Sequence, residues 1–348
     1  MRPSRLLLSA ALASALATGA VLAPGTASAA PTPRPQAASV APASAPTTVA
    51  TWTLPRSVAS IPSTWKLAFS KGYGSASGLL GTKKDAYGVV YGPENVAQAP
   101  DGTWWVVDET KHRLVHLKST GAWIGAVALP TSWTSAGRYF LAPRVLADGT
   151  VIVPAADSEL SSTYARRFLR VTSGKAVGIS LAKPLVITSD DGTALYGYTV
   201  SGGMVSVNAK TGVIKGVPYF KTQGGNRYKV TVSADWTVTF ALPDSKGSTK
   251  VVIHVKPAHG STQDRPLAVR VAGGKDGTLF ILGEHDSLGL SGYASISRNG
   301  VPTRQGTMRK LYSSLAVESP SVFGVRYGAS SPYLGFVDSS ALHVYVRR

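Results

Sequence analysis

The feature that most constrains the fold is a short pattern that recurs along the chain: an apolar run, an Asp-Gly turn and a second apolar run. Its clearest copy lies in Pro93–Ala128, which reads PENVAQAPDGTWWVVDETKHRLVHLKSTGAWIGAVA. Runs of β-branched and aromatic residues between Asp-Gly and Ser/Thr-Gly turns predict four strands of an antiparallel meander. One such sheet cannot bury both of its faces, so the chain needs further sheets of the same kind.

The same pattern begins again five times, at intervals of roughly 40 to 55 residues, close to the length of one four-stranded propeller blade. The later copies begin at Pro143, Pro184, Arg227, Pro266 and Pro320. Together the six anchors predict an all-β chain folded as a six-bladed β-propeller of four-stranded antiparallel blades. Seven blades remain the alternative.

The two ends of the repeat region indicate how the ring closes. Residues 333–346 match residues 104–117 almost position for position, with Asp338 placed on Asp108 by a shift of one residue, and the last copy then ends one strand short. A spare strand, STWKLAFS at residues 63–70, precedes the first copy. We expect this N-terminal strand to complete the C-terminal blade, because that pairing removes an exposed sheet edge.

The sequence PENVAQAPDGTWWVVDETKHRLVHLKSTG and its Gly-rich lead-in WKLAFSKGYGSASG resemble NHL repeats. The resemblance extends over residues 63–348 and implies a six-bladed propeller. In such a repeat, Asp108 and Arg113 would form an internal loop-bracing pair. The resemblance implies no single activity, since these propellers include binding modules, lactonases and lyases.

The N-terminal region has the composition of an export leader and a tether. Arg2 and Arg5 precede a segment of about 18 apolar and small residues, short for a membrane span, and Ala27-Ser28-Ala29 fits a cleavage site. We therefore expect a signal peptide over residues 1–29 and a secreted or cell-wall-associated protein; an uncleaved anchor is the alternative. Residues 30–51 are rich in Ala, Pro, Ser and Thr and predict a disordered linker. Residues 52–348 predict a single propeller domain.

Composition limits the chemistry. The absence of cysteine excludes disulfides, thiolate metal sites and a lipid-modified cysteine. Lys and Arg number 36 against 18 Asp and Glu, a net charge of +18, which falls to +16 without the leader arginines. This charge favours a cell-wall polyanion, an acidic glycan or a nucleic acid as partner; solubility alone is the competing explanation. The sequence is equally compatible with a protein partner, and we expect a monomer.

Meander topology places the connectors between blades on the same face as the loops between second and third strands. Aromatic and basic residues gather there and suggest a ligand-binding rim, although connector aromatics also cap propeller cores. The candidate ligand-binding residues are Trp133, Arg138, Tyr139, Tyr219, Phe220, Arg227, Arg309 and Tyr312. Near the starts of the first strands stand Glu94, Arg144, Arg227, Arg270 and Arg326. Three of them facing inward and unpaired would form a cationic channel mouth; alternatively, Glu94 pairs with Arg144 of the adjoining blade and the others point outward.

Catalytic motifs are missing: the sequence contains no nucleophile elbow, phosphate-binding loop or histidine metal motif. The weak catalytic candidates are Glu284, His285 and Asp286, together with His112 and Asp108. Carboxylates from several blades could hold Ca²⁺, as in gluconolactonase-like propellers, although no metal-ligand set matches that family residue by residue. The sequence thus favours an exported, non-enzymatic binding module without a cofactor; a metal-dependent hydrolase or lyase is the alternative.

Overall fold

The computed structural model describes most of the repeat region. The described residues are 48–53, 65–84, 90–93, 95–134, 139–157, 164–225, 227–232, 238–243, 249–256, 266–273, 279–285, 290–296, 302–309, 322–326, 331–337 and 340–347. Within these ranges 27 strands accompany one four-residue helix, which confirms the predicted all-β class. Here no helix has the length and hydropathy needed to cross a bilayer.

The first four strands that the structure describes belong to three different sheets. They are β1 (Thr48–Thr53), β2 (Trp65–Gly72), β3 (Lys83–Lys84) and β4 (Val90–Tyr91). Strands β3 and β4 pair with each other, whereas β1 and β2 pair with strands much later in the sequence. Strand β1 spans residue 51, the predicted end of the linker.

The clearest sequence repeat forms a four-stranded antiparallel sheet in chain order. Its strands are β5 (Val96–Gln98), β6 (Trp104–Asp108), β7 (Arg113–Leu117) and β8 (Trp123–Ala128). The Asp-Gly turn forms because Gly102 adopts φ +85° and the Asp101 carboxylate accepts the Thr103 N–H at 2.9 Å. Strand β8 alternates between half-buried and exposed residues, so it is the outer strand with one face toward solvent.

An eight-stranded sheet follows. Its chain segment contains α1 (Thr131–Thr134), β9 (Tyr139–Phe140), β10 (Arg144–Val145), β11 (Val151–Ala156), β12 (Ala165–Thr172), β13 (Lys175–Asp190), β14 (Ala194–Thr199), β15 (Met204–Asn208) and β16 (Ile214–Gly216). The 16-residue strand β13 pairs with β12 through its first part and with β14 from Leu185 onward. It therefore ends one meander, β10–β13, and begins the next, β13–β16.

The next sheet receives a strand from the N-terminal region. Its own strands are β17 (Phe220–Lys221), β18 (Arg227–Val232), β19 (Val238–Pro243) and β20 (Thr249–Lys256). Strand β1 adds to β20 in parallel, which gives the order β1-β20-β19-β18-β17. Arg227, at which the sequence predicts a first strand, begins the second strand, because the short β17 precedes it.

Two further four-stranded sheets complete the described chain. One contains β21 (Pro266–Gly273), β22 (Leu279–His285), β23 (Leu290–Ile296) and β24 (Pro302–Arg309). The other contains β25 (Val322–Arg326), β26 (Ser331–Val337) and β27 (Ala341–Arg347), with β2 as its fourth strand. Strand β2 pairs antiparallel with β27 from Trp65↔Arg347 to Gly72↔Ala341, the pairing expected from the sequence.

The hydrophobic core lies between neighbouring sheets. Trp104 of β6 is 1% exposed and packs edge-on against Tyr333 of β26 and Phe69 of β2, with centroid distances of 4.9 and 5.6 Å. A second cluster joins Val107 of β6 to Val153 of β11. Because such contacts cover both faces of the inner strands, β6 and β11 are buried along nearly their whole length.

Candidate functional site

The carboxylate of Asp108, one of the catalytic candidates, accepts hydrogen bonds from three residues of the protein itself. Its side chain is completely buried, and its two oxygens accept the Gly81 N–H at 3.1 Å. The Arg113 Nε–H donates to Oδ2 at 2.9 Å and the Lys111 N–H to Oδ1 at 3.3 Å. This arrangement is the loop-bracing pair that the NHL resemblance implies for Asp108 and Arg113.

The cations beside Asp108 hold the connector between β2 and the first full sheet. Arg113 donates to the carbonyls of Ser77 and Leu79, and Lys111 Nζ donates to Ala76 at 2.7 Å and to Leu79 at 2.9 Å. His112, in the same loop, is exposed and adopts φ +51°. The loop therefore uses its charged residues to fix its own fold.

The other catalytic candidates are only partly located. Glu284 and His285 end strand β22, where the backbone alone is described, and Asp286 lies outside the described residues. Among the side chains that the structure describes, no three His, Asp or Glu lie close enough to hold a metal ion. No described geometry therefore joins His112 or Asp108 to this cluster.

Trp133, a predicted ligand-binding residue, packs against its own protein on two sides. The Arg167 guanidinium lies 5.7 Å from the ring centroid, and Arg167 is also paired with Asp157 at 2.7 Å. A Cβ on Gly178 of β13 would stand 2.7 Å from the Trp133 ring. Gly178 thus allows the indole to lie directly on the strand.

The predicted residues around β17 divide between core and surface. Phe220 is fully buried and lies 4.6 Å from Tyr198 and 5.5 Å from Tyr228, measured between ring centroids. Tyr219 is half-buried, with the Arg227 guanidinium 4.8 Å from its ring centroid. Of the remaining candidates, Arg138 and Tyr312 lie outside the described residues, and Tyr139 and Arg309 are located only by their strands, β9 and β24.

The interior of the molecule holds a polar group of residues from three sheets, here called the interior cluster: Gln98, Arg144, Asp190, Thr222 and Gln223. Gln223 Nε2 donates to Asp190 Oδ1 at 2.6 Å and approaches the Val145 carbonyl at 3.3 Å. Arg144 Nη2 donates to the Thr188 carbonyl at 3.0 Å. The turn after β17 therefore links the ends of β10 and β13.

Asp190 is the unusual acid of this cluster. Burial raises the pKa of its carboxyl above the ordinary 3.8, although the Arg144 charge and hydrogen bonds from Gln223 and Gly192 oppose the shift. No ion pair joins Asp190 to Arg144 within the described structure. The carboxyl consequently favours its neutral form more than any exposed aspartate would.

Three polar side-chain atoms of the interior cluster are buried and have no hydrogen-bond partner among the described residues. They are Gln98 Oε1, Arg144 Nε and Thr222 Oγ1. Gln98 and Thr222 are 8% and 2% exposed, so bulk water does not solvate them freely. Unpaired buried polar atoms are destabilising, which makes the cluster a candidate binding site.

Two buried phenols flank the cluster. Burial raises the pKa of Tyr228, despite the nearby Ser189 and Thr188 hydroxyls and the Arg144 charge. Burial likewise raises the pKa of Tyr333 to about 12, again opposed by Arg144. Both phenols therefore stay protonated, and Arg144 lies within electrostatic reach of both.

Sequence reasoning finds only part of this cluster. It identifies Arg144 as a first-strand residue that could face a channel. Asp190 carries a weaker signal as the additional acid of the Asp190-Asp191-Gly192 turn, where the other copies have Pro100 or Ala147. Gln98, Thr222 and Gln223 carry no local signal, since only tertiary contacts bring them together.

On the surface, the described carboxylates are engaged by the protein's own donors. Asp148 and Asp191 accept turn N–H groups, as Asp101 does. Although burial opposes the shift, hydrogen bonds from Thr103 lower the pKa of Asp101, and those from Ala194 and Tyr196 lower that of Asp191. Glu109 accepts the Phe140 N–H at 3.2 Å. The acids are therefore used mainly in turns and braces.

Four exposed lysines differ from these carboxylates, because the described structure contains no ion pair that involves them. Lys118, Lys175 and Lys210 stand in or beside the turns between third and fourth strands of successive meanders, and Lys66 begins the closing strand β2. All four are exposed and none lies within ion-pair distance of a described carboxylate, although hydrogen bonds from Thr150, together with the Lys210 charge, lower the pKa of Asp148. These four residues are called the lysine rim.

Comparison with known proteins places the chain in a family. A family model described as Domain of unknown function (DUF7485) matches residues 63–347. In the comparison with curated proteins, none matches at a significant level.

Similar solved structures share little sequence with this chain. A candidate exported protein from Bacteroides fragilis is 10% identical, with 86% of this chain and 99% of that chain covered and a TM-score of 0.50. The WD40 domain of Toxoplasma gondii coronin is 11% identical over 82% of both chains, with a TM-score of 0.44. Virginiamycin B lyase from Staphylococcus aureus is 12% identical, with 77% and 87% covered and a TM-score of 0.40. At such identities the likeness concerns the fold alone.

Proposed function

We propose, from the premise that the chain belongs to the DUF7485 family matched over residues 63–347, that it is an exported six-bladed β-propeller that binds an anionic polymer. It acts as a binding module without a reaction of its own. Export is inferred from the leader-like residues 1–29. The observation that carries the binding proposal is the lysine rim.

The strand pairings support six blades. The meanders are β5–β8, β10–β13, β13–β16, β17–β20, β21–β24 and β25–β27 with β2. Each contains four antiparallel strands, with β13 shared between two blades and β1 as an additional outer strand on β20. This interpretation resolves the eight-stranded sheet into two blades that share β13, with the two-residue strand β9 added on β11.

Contacts between first strands support closure of the ring. Strand β5 contacts β10 on one side and β25 on the other, β25 contacts β21, and β13 contacts β17; β13 also contacts β21, which belongs to the blade after the next one. The Ala147 N–H also donates to the Gly192 carbonyl at 2.9 Å, which joins the turns of the second and third blades. A linear row of sheets would leave β5 and β25 apart.

In this ring the lysine rim lies on the face opposite the blade connectors. Turns between third and fourth strands join the outer half of each blade, so Lys66, Lys118, Lys175 and Lys210 follow the perimeter over four consecutive blades. The corresponding turns of the fourth and fifth blades contain Lys246 and Arg298 in the sequence, outside the described residues. A curved row of cations fits a flexible polyanion better than a compact ligand.

The acids of the same face confine the polymer to the perimeter. Asp101, Asp148 and Asp191 occupy the turns between first and second strands, nearer the ring axis, and turn N–H groups keep them ionised. They repel an anionic chain from the centre, while the lysines outside them attract it. A cell-wall polyanion or acidic glycan is the partner class that fits an exported protein with this pattern.

Retention of the purified chain on immobilised dextran sulfate tests the proposal. We expect wild-type protein to elute at a salt concentration well above that of a Lys118→Gln/Lys210→Gln double variant, because each substitution removes one salt-dependent attraction between the rim and the polymer. The charge-matched control is Lys71→Gln/Lys183→Gln. Lys183 is exposed and Lys71 half-buried, and both lie away from the rim turns, where β13 passes between meanders and near the end of β2.

The control decides whether position or net charge governs binding. Elution of the control double variant close to wild type supports the rim. An equal shift for both double variants would show that net charge alone is responsible, and wild-type elution in the low-salt wash would remove the polyanion proposal. Circular dichroism of each variant checks that the fold is retained.

A further inference from the structure

The outer strands of the sheet β5–β8 carry a row of three paired residues on one face. Trp105 of β6 pairs with His116 of β7, and His116 pairs in turn with Gly125 of β8. The indole and imidazole rings are stacked, with centroids 4.0 Å apart and planes 3° from parallel. Trp105 also packs against the core cluster that contains Val153 of β11, so the stack has a fixed base.

The row ends in a gap, because Gly125 has no side chain. A Cβ on Gly125 would have no atom within 4 Å. Neighbouring strands of a sheet lie about 4.8 Å apart, so a ring placed above Gly125 would be the third member of the stack. The pairing shifts register here and leaves Ile124 without a partner in the ladder, and this side chain is 44% exposed. Such bulges re-aim side chains and are frequent beside functional sites. Trp105, His116, Ile124 and Gly125 are called the His116 shelf.

The hydrogen bonds of His116 determine which ring nitrogen can receive a ligand. The Thr103 hydroxyl donates to Asp101 Oδ1 at 2.6 Å, so its oxygen accepts the His116 Nε2–H at 2.7 Å. Burial lowers the pKa of His116, although the Asp101 charge opposes this shift, and the half-buried imidazole is therefore neutral at neutral pH. Nδ1 is then a lone-pair acceptor, and no donor among the described residues bonds to it.

We propose that the His116 shelf binds one sugar ring of an acidic glycan, an assignment that names the polymer class for the lysine rim and rests on the function proposed above. The C–H face of a pyranose lies above Gly125, against the imidazole face that Trp105 leaves uncovered, and a sugar hydroxyl donates to Nδ1. The exposed Lys118 of the rim follows His116 by two residues, about 7 Å along the chain. It therefore lies within reach of an acidic group on the same or the next sugar.

A sugar fits the shelf better than the other polyanions that the net charge would attract. An inorganic polyphosphate offers neither an apolar face to the imidazole nor a donor to Nδ1. A nucleobase can stack, but it carries donors only on certain edges, whereas hydroxyls surround a sugar ring and supply a donor in any orientation. Strand β8 is the outer strand of its sheet, so the remaining hydroxyls stay in water.

Isothermal titration of the purified full chain with a sulfated maltohexaose and with an inorganic polyphosphate of equal charge tests this assignment. Gly125→Phe places the protein's own ring in the gap, so we expect about five- to tenfold weaker binding of the sulfated sugar and unchanged binding of polyphosphate. Gly216→Phe is the matched control and should leave both affinities unchanged. Gly216 also lies in an outer strand with no atom within 4 Å of its Cβ position, but its cross-strand partner is Val205 rather than an aromatic ring.

A second variant and a melting curve separate binding from folding. His116→Ala removes the wall of the shelf and should weaken binding of the sulfated sugar by a similar factor. Ligand-free Gly125→Phe should melt at or above the wild-type temperature, because the new ring packs on the imidazole.

The outcomes distinguish the shelf from the rim. A wild-type chain that binds neither probe would remove the anionic-polymer proposal together with this one. Wild-type affinity for the sulfated sugar in both Gly125→Phe and His116→Ala would overturn the shelf alone, as would an equal loss of polyphosphate binding. Tighter binding of an oligodeoxyadenylate than of the sulfated sugar, weakened by Gly125→Phe, would overturn the sugar assignment in favour of a nucleobase.

Discussion

Replacing Asp108 with asparagine should lower the free energy of unfolding by about 3–5 kcal/mol, the usual cost of removing one partner from a buried ion pair. The variant keeps the size of the side chain but leaves the Arg113 guanidinium, 14% exposed, without a counter-charge. The asparagine would also point its N–H₂ group at other N–H donors, because the backbone N–H groups of Gly81 and Lys111 both donate to the Asp108 carboxylate. Both effects act on the same buried position.

Urea unfolding followed by tryptophan fluorescence measures this destabilisation, with Asp157→Asn as the control. Asp157 also pairs with arginines, at 2.7 Å from Arg167, but its side chain is 36% exposed. Solvent screening limits such a pair to about 1 kcal/mol or less. A destabilisation by Asp108→Asn no larger than that by Asp157→Asn, with unchanged urea dependence, would refute the argument that burial makes this brace important.

Three more predictions can be tested by urea unfolding. Gly81→Ala should cost about 1–3 kcal/mol, because a Cβ there would stand 2.8 Å from Asp108 Oδ1, while Gly125→Ala, with open space around it, should cost nothing. Burial lowers the pKa of the His116 imidazole below 6.5, so the folded state binds this proton less tightly than the unfolded state does. The free energy of unfolding should therefore fall as the pH drops below 6.5, and His116→Gln should remove this fall. Burial raises the pKa of the Asp190 carboxyl above 3.8, so the free energy of unfolding should instead decline as the pH rises above 3.8. Asp190→Asn should remove this decline, and a variant that keeps it would contradict the raised pKa of Asp190.

Features with a local sequence signal could be predicted. The Asp-Gly turn at Asp101 and the alternating outer strand β8 follow from neighbouring residues alone, and both are present. The pairing of β2 with β27 is nonlocal, but it could be inferred because the last repeat lacks one strand and the spare strand precedes the first repeat. Repetition thus supplies long-range information that a single element cannot.

Other features depend on contacts that no repeat encodes. Strand β13 runs through Pro184, where the repeat pattern predicts the start of a new copy; the strand continues because its β12 pairing shifts register before Leu185. The short β17 has only two residues, too few for any periodic signal. The sequence predicts Phe220 as a rim aromatic because it follows an outer strand, yet its pairing with Tyr228 turns it into the core.

The aspartates with shifted pKa values fall into two groups, which differ in whether the folded protein favours the charged or the neutral carboxyl. Asp101 and Asp191 accept several hydrogen bonds each, which lower the pKa values of their carboxyls against the opposing effect of burial, so their ionised forms stabilise the native state. Asp190 does the opposite: burial disfavours its charge, and Arg144 beside it keeps an unpaired Nε among the described residues. An unsatisfied buried polar group costs about 1–3 kcal/mol, and a chain selected for stability alone would replace such residues with apolar ones.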